Sequence, residues 1–158
     1  MIKEINSELT TRNSNNMSVG SKLEITKFDM VDKPVYNFVI NGLKGYNDKF
    51  SIRNQLDFSI VAECDNITIA AVIGESKYDW LIIQYIFVNE IFRNNGIGSK
   101  LINAAIDLAK MRKCKGIHLD TFEFQARDFY IKQGFHVFGE IEDHPSGYKR
   151  FFLKIHFN

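Results

Sequence analysis

A mixed α/β sheet is the fold class that the sequence predicts, and three stretches carry the prediction. Phe58 to Ala62 alternates apolar with polar or small residues, Ile67 to Ile73 is β-branched and apolar, and Asp65-Asn66 between them supplies the turn of a hairpin. Trp80 to Val88 is apolar almost without interruption, the pattern of a central strand buried on both faces. Beyond Gly98, the residues Leu101, Ile102, Ala105, Leu108 and Ala109 recur at helical spacing, with Lys100, Asn103, Asp107 and Lys110 on the other side. That pattern predicts an amphipathic helix packed on the sheet.

The remaining elements follow in chain order. Ser7 to Gly20 is rich in Ser, Thr and Asn and has no periodicity, so residues 1–21 read as a mobile polar leader, with Met1 or Met17 as the natural start. Residues 22–158 read as a single domain. Leu23-Glu24-Ile25 opens a first short strand, and Asp32 before Lys33-Pro34 reads as a cap with proline in the first helical turn. Val35, Tyr36, Val39, Ile40 and Leu43 share one helical face, and Gly42 to Gly45 is expected to end that helix. Gly116 opens a strand over Ile117 to Phe122. A shorter helix is expected from about Gln125 to Gln133, with Gly134 suited to the left-handed position after it. Phe135 to Ile141 and Tyr148 to Phe157 form two closing strands around a polar loop containing His144-Pro145-Ser146-Gly147. No internal repeat is present.

Composition narrows the function classes. The chain has 158 residues, 45% of them hydrophobic and 25% charged, with 14 Phe, which suits one globular core. A formal net charge of +1 gives no basic footprint for a nucleic-acid backbone, so nucleic acid is disfavoured as a partner. No apolar run matches a signal peptide or a membrane span, which predicts a cytoplasmic location without a membrane partner. Cys64 and Cys114 lie far apart with no metal-like spacing, so both read as buried thiols and no metal site is expected.

Chemistry concentrates between the central strand and the amphipathic helix. Val88-Asn89-Glu90-Ile91-Phe92-Arg93-Asn94-Asn95-Gly96-Ile97-Gly98 joins a strand directly to a helix N-terminus. Such a junction presents unpaired backbone N–H groups and the positive end of a helix dipole, and its glycines let an anion approach the backbone. Arg93 adds a positive charge, and phosphate or pyrophosphate is the implied ligand. A Rossmann fingerprint would need glycine where Leu101 stands, and a Walker loop would need Lys-Ser/Thr directly after its last glycine, where Ser99-Lys100 stands. Taken alone, Gly96 and Gly98 read first as the punctuation of a tight turn and only second as a ligand loop.

The combination of two segments is more specific. V-x-x-x-x-R-x-x-G-I-G-x-x-L, from Val88 to Leu101, resembles the acetyl-CoA motif of the GNAT superfamily of N-acetyltransferases. Ala126-Arg127-Asp128-Phe129-Tyr130-Ile131-Lys132-Gln133-Gly134-Phe135 resembles the second signature of the same superfamily, A-x-x-x-Y-x-x-x-G-F. The resemblance extends from about Leu23 to the C-terminus. It implies a mixed, mostly antiparallel central sheet flanked by helices, with a V-shaped split between the fourth and fifth strands. It implies acetyl-CoA as co-substrate, with the backbone near Phe87 and Val88 contacting the pantetheine arm and acetyl group. Arg93, Asn94, Asn95, Gly96, Ile97, Gly98 and Ser99 would hold the pyrophosphate, and Tyr130 falls at the position of the general acid. Two positions depart from the family pattern. Glu123 stands where the family often has an asparagine that contacts CoA, and Gln84 and Tyr85 stand where members acting on polyamines often carry paired acids, which disfavours a polyamine substrate.

Acetyl transfer needs a neutral amine near the thioester carbon, donors for the developing oxyanion and a proton for the departing thiolate. The backbone N–H at Val88 is the candidate oxyanion donor. A phenol with a pKa of about 10 can protonate a thiolate whose conjugate acid is near 8.5, so Tyr130 suits the role chemically, although its spacing from Ala126 and Phe129 also fits a packed helical face. The base is open among Asp120, Glu123 and a water held by Gln84. His118 and His136 read as structural, whereas Gln84, Tyr85, Asp143 and His144 are the candidates to meet substrate. Glu140, Glu142 and Asp143 read first as a solvated turn, and second as an attraction for a cationic amine. A small-molecule primary amine is the expected acceptor. The alternatives are a protein or peptide acetyltransferase and a non-catalytic acyl-CoA-binding regulatory module. The oligomeric state is not legible, and a homodimer is admissible.

Overall fold

The structure is a computed structural model, and it describes residues 23–50 and 55–157. The polar leader therefore lies outside the described residues. Contacts divide the chain into two units, the first ending at Asn41 and the second beginning at Gly42. In the first, Leu23 to Ile25 is irregular and exposed rather than a strand. Two apolar residues around a glutamate do not make a strand where no neighbouring strand among the described residues pairs with them. Helix α1, Lys33–Asn47, begins in the first unit and ends in the second. Asp32 caps it as expected, its Oδ1 accepting from the Val35 N–H at 3.0 Å. The helix runs through Gly42 and Gly45 instead of stopping there, since an interior glycine costs a helix only about 1 kcal/mol.

The second unit is built on a six-stranded sheet. Its strands are β1 (Leu56–Cys64), β2 (Ile67–Lys77), β3 (Trp80–Val88), β4 (Gly116–Phe122), β5 (His136–Ile141) and β6 (Arg150–His156). They lie in the order β1-β2-β3-β4-β6-β5, and every neighbouring pair is antiparallel except β3 with β4. Helix α2 (Ile97–Met111) connects β3 to β4, and α3 (Arg127–Lys132) connects β4 to β5. Helix α3 is shorter than its pattern suggested because Gln125 belongs to the turn after β4, its Oε1 accepting from the Phe122 N–H at 2.9 Å and from Thr121 Oγ1 at 3.1 Å. The last strand begins at Arg150 rather than Tyr148.

Turn chemistry sets the registers. Asp65 and Asn66 take φ values of 50° and 63°, the two-residue left-handed turn that suits the twist of a hairpin. Tyr78 and Asp79 make the same kind of turn between β2 and β3, with φ of 50° and 62°. Lys115 steadies this second turn, its N–H donating to the Asp79 carbonyl at 2.6 Å and its Nζ pairing with the Asp79 carboxylate at 3.2 Å. Cys64 ends β1 beside the first turn and is exposed, contrary to its reading as a buried thiol; Cys114 is buried.

The core lies on the sheet face that α2 covers. Leu101, Ile102, Ala105 and Ala109 are buried there among Val72, Leu81, Ile83, Ile117, Leu119 and Leu153. Each fully buried Leu or Ile stabilises the fold by about 1.5–3 kcal/mol. Arg112 ties the end of α2 to the start of β1, with Nη1 donating to the Leu56 carbonyl at 2.7 Å and Nη2 to the Asp57 carbonyl at 3.1 Å.

Strand β3 is not buried on both faces. Leu81 and Ile83 are in the core, but Gln84, Tyr85 and Phe87 are exposed. The register explains why. Ile73 pairs with Tyr85 whereas Gly74 pairs with Ile83, so Gln84 is an extra residue that bulges β3. On its other side, β3 keeps only three partners in β4, namely Trp80 with Gly116, Leu81 with Ile117 and Ile82 with His118. Past Ile82 the two strands separate. Because no strand precedes β1 among the described residues, the split falls between the third and fourth strands.

The bulge depends on glycine at position 74. A Cβ there would run into the carbonyl oxygen of Ile82 and meet Phe58 Cε1 at 2.9 Å. Backbone cannot yield as a side-chain tip can, so Gly74→Ala should destabilise the protein by about 3 kcal/mol, a fall in Tm of roughly 6–12 °C. An unchanged thermal melt would mean that β2 and β3 have slack at this point.

Candidate active site

Where β3 and β4 part, a cleft of about 1100 Å³ opens. One wall is the second half of β3, Ile83 to Val88, and the opposite wall is Leu119 to Thr121 of β4. Its floor and ends come from the loop into α2, from Glu123 to Gln125, and from Ala126 to Tyr130.

The direction of the β3 backbone matters as much as its side chains. The Asn89 N–H donates across to Ile69 of β2 at 2.9 Å. Alternation along an extended chain then turns the Val88 N–H the other way, toward the gap left by β4. The Val88 carbonyl faces the same gap and accepts from Arg93 Nε at 3.1 Å.

The loop from Val88 to α2 is a set of backbone donors. Asn94 and Gly96 take left-handed φ values of 63° and 74°, which reverse the chain within a few residues. Asn95 fixes this turn, its Nδ2 donating to the carbonyls of Arg93 at 3.1 Å and Phe92 at 3.4 Å. Gly96 caps α2 without a side-chain bond, and the first intrahelical contact runs from the Lys100 N–H to the Gly96 carbonyl at 3.1 Å. The N–H groups of Ile97, Gly98 and Ser99 have no acceptor among the described residues, which is the condition for anion binding at a helix N-terminus. Gly98 has a packing reason of its own, because a Cβ there would meet Phe129 Cζ at 3.3 Å and hold α2 away from α3. The Arg93 guanidinium also contacts Glu90 at 3.5 Å and lies 6.0 Å from the Phe87 ring centroid.

Tyr130 projects from α3 and is 4% exposed. Its ring packs edge-on against Phe129 and Phe135, at 5.2 and 5.8 Å between centroids. Burial first, and then the nearby Asp120 carboxylate, push the phenol up to about 12. Asp120 is held in turn by Arg150, whose Nε and Nη2 each reach Oδ2 at 2.8 Å.

Phe87, Val88, Arg93, Asn94, Gly96, Ile97, Gly98, Ser99, Gln84, Tyr85 and Tyr130 all line this cleft. Asn95 does not, since its side chain is used inside the turn. Asp143 and His144 are also elsewhere. The Asp143 carboxylate accepts from the Gly147 N–H at 2.6 Å, and His144 leans on the Phe122 ring with centroids 6.0 Å apart. Glu140 and Glu142 are bound by Lys149 Nζ at 3.3 and 2.8 Å, which neutralises much of the acidic turn and holds the Glu142 carboxyl below its usual range. Glu123 accepts from the Lys149 N–H at 3.0 Å and so fastens β4 to the strand returning beside it. Arg127 is a cleft residue that sequence reasoning passed over. Its guanidinium lies 4.9 Å from the Phe151 ring centroid, its Nη1 meets Asp128 at 3.1 Å, and its buried Nε has no partner among the described residues. Its place inside the second signature was the available signal.

A mixed sheet that splits beside a helix N-terminus with free N–H groups is the architecture that the two signatures implied. A family model described as an acetyltransferase (GNAT) domain matches residues 56–137, just over half of the chain. The chain belongs to the GNAT family of acetyltransferases. It is 30% identical over 121 residues to an acetyltransferase of Agrobacterium fabrum, covering 75% of this chain and 88% of that one. It is 32% identical to the blasticidin-S acetyltransferase of Streptomyces morookaense, over 48% of this chain and 57% of the relative. A spermine/spermidine N(1)-acetyltransferase of Bacillus subtilis is also 32% identical, over 43% of this chain and 47% of the relative. Among solved structures, an acetyltransferase from Bacillus cereus superimposes with a TM-score of 0.78 at 27% identity, covering 84% of this chain and 98% of that one. A Bacillus anthracis protein assigned as a streptothricin acetyltransferase, in complex with acetyl coenzyme A, gives 0.58 at 27% identity over 72% of this chain and 68% of that one. No helix among the described residues is long and apolar enough to cross a membrane.

Proposed function

We propose that this acetyltransferase passes the acetyl group of acetyl-CoA to a primary amine of a small molecule by direct attack. The observation that carries the reading is the split itself. The parallel pairing of β3 with β4 ends at Ile82 and His118, and the cleft this opens reaches an α2 N-terminus with three N–H groups unpaired among the described residues. In this reading the pyrophosphate sits on the loop from Arg93 to Ser99, where Asn95 acts by shaping the turn. The pantetheine arm runs along Phe87 and Val88, and the thioester carbonyl meets the Val88 N–H. Side-chain alternation supports two approaches to the gap. Leu119, Thr121 and Tyr130 belong to the face that α2 and α3 cover, whereas Asp120, Tyr85 and Phe87 belong to the opposite face. Acetyl-CoA would occupy the helical side and the amine the other. The names of relatives acting on blasticidin-S and on spermine or spermidine favour a small acceptor over a protein.

The amine lone pair attacks the thioester carbon, the C–N bond forms, and the C–S bond breaks with its electron pair leaving on sulfur. Tyr130 donates its proton to that sulfur and recovers one from the nitrogen. A phenol at about 12 keeps its proton at every working pH, but lies about 3.5 units above a thiol near 8.5, which is about 5 kcal/mol against complete transfer. A thiolate leaving into the same desolvated cleft is raised by the same burial, and that narrows the gap. The test is a thiol-release assay with acetyl-CoA across amines of several classes, peptides included. Turnover of small amines, with none of peptides, is expected. Tight acetyl-CoA binding with no turnover of any acceptor would support the regulatory module instead.

A further inference from the structure

The acceptor side of the cleft carries a carboxylate that is held rigid yet has an oxygen to spare. Both Arg150 contacts to Asp120 fall on Oδ2, and no hydrogen bond reaches Oδ1 from the described residues. Arg150 is itself fixed, its guanidinium lying 5.4 Å from the Phe122 centroid and 5.5 Å from that of Phe152. Asp120 lines the cleft with its side chain 38% exposed, past the last residue of β4 that pairs with β3. Beside it, Phe122 stacks on Phe124 at 5.4 Å, and Phe124 lines the cleft while remaining mostly exposed. A part-exposed aromatic ring and a fixed carboxylate oxygen lining the same cleft are the elements of a receptor for an organic cation.

Resting on the acetyltransferase reading, we infer that Asp120 and Phe124 select an acceptor with a second cationic group, an ammonium or guanidinium separate from the amine that is acetylated. The reacting nitrogen must be neutral, and a carboxylate in contact with it would hold it protonated. The cation that Asp120 receives is therefore a different one. The other carboxylates of the cleft are held less firmly, Glu123 by one contact with the Lys149 N–H and Asp128 by one with Arg127, whereas two Arg150 nitrogens fix Asp120. Asp120 is thus a specificity residue, whereas the chemistry belongs to groups nearer the thioester.

The test uses an alkyl monoamine, the diamine of equal chain length and the corresponding guanidino-amine as acceptors of the full-length protein. The parent should prefer either dication to the monoamine by roughly 10–100-fold in kcat/KM, chiefly through KM. In Asp120→Asn that preference should fall toward one, while acetyl-CoA affinity by calorimetry is retained, and Asp120→Glu should restore part of it. Equal use of monoamine and dications by the parent would overturn the inference, whatever the variants do. So would an Asp120→Asn variant that keeps the preference. If the parent acetylates none of them, the small-amine reading fails separately. Binding of the dications to the acetyl-CoA complex then decides, and equal affinity in parent and Asp120→Asn would overturn the inference.

Discussion

Tyr130→Phe should lower turnover by roughly 10²–10⁴-fold with a true acceptor, while acetyl-CoA affinity changes little. Phenylalanine keeps the ring that packs against Phe129 and Phe135, so the helix and its seat in the core are preserved. What disappears is the acidic proton beside the cleft. The substitution also carries a pH signature. The phenol is raised from 10 to about 12 in the folded protein, so below pH 10 both folded and unfolded chains hold the proton. Between pH 10 and 12 only the folded chain holds it, and stability falls as pH rises through that window, by up to about 3 kcal/mol. Tyr130→Phe should lack this component. Denaturant melts at pH 9 and pH 11 measure it, and parallel behaviour of the two proteins would place the phenol in an unperturbed environment. An unchanged turnover number, where chemistry limits the rate, would leave Tyr130 as a packing residue alone.

The second large effect is expected at Arg93. Arg93→Glu should weaken acetyl-CoA binding by roughly 10–100-fold, because it replaces a charge-assisted contact with repulsion next to a pyrophosphate. Folding should suffer much less. The guanidinium is half exposed, and its ion pair with Glu90 is of the surface kind that contributes about 0.2–1 kcal/mol. The bond from Nε to the Val88 carbonyl is also lost, so Arg93→Gln is the useful companion, removing charge without adding repulsion. Calorimetry with acetyl-CoA separates the cases. Equal affinity in all three proteins would take the pyrophosphate away from this loop.

Much of this was readable from the residues, and the misses share a cause. The Asp65-Asn66 turn, the apolar stripe of α2 and the left-handed Gly134 are local facts, written in propensity and period, and the structure repeats them. The loop from Arg93 to Ser99 was legible because a motif fixes both identity and spacing. Strand β3 was misread because an apolar run looks the same whether a neighbouring strand covers it or leaves it. Tyr78-Asp79 gave no warning as a turn, since what steadies it is the hold on Asp79 of Lys115, far away in sequence. The same applies to the bulge at Gln84, which is imposed by pairing with β2. His144 and Asp143 were nominated by residue type on a loop, where Asp143 accepts from the Gly147 N–H and His144 leans on Phe122, contacts that the sequence does not announce.

The short parallel contact between β3 and β4 has a consequence beyond shaping a slot. A six-stranded sheet ordinarily has two edges, on its outermost strands. Here, past Ile82 and His118, the sheet acquires two inner edges as well, where backbone groups lose their ladder partners within the interior of the fold. A ligand arm bearing amides behaves at such a place as a missing strand and restores the ladder. On the proposed binding mode, acetyl-CoA would be coupled to the integrity of the whole sheet, and at a concentration one hundred times Kd it would raise stability by about 2.7 kcal/mol. The empty enzyme is the less complete β-structure, and its thermal transition should report the occupancy of the slot.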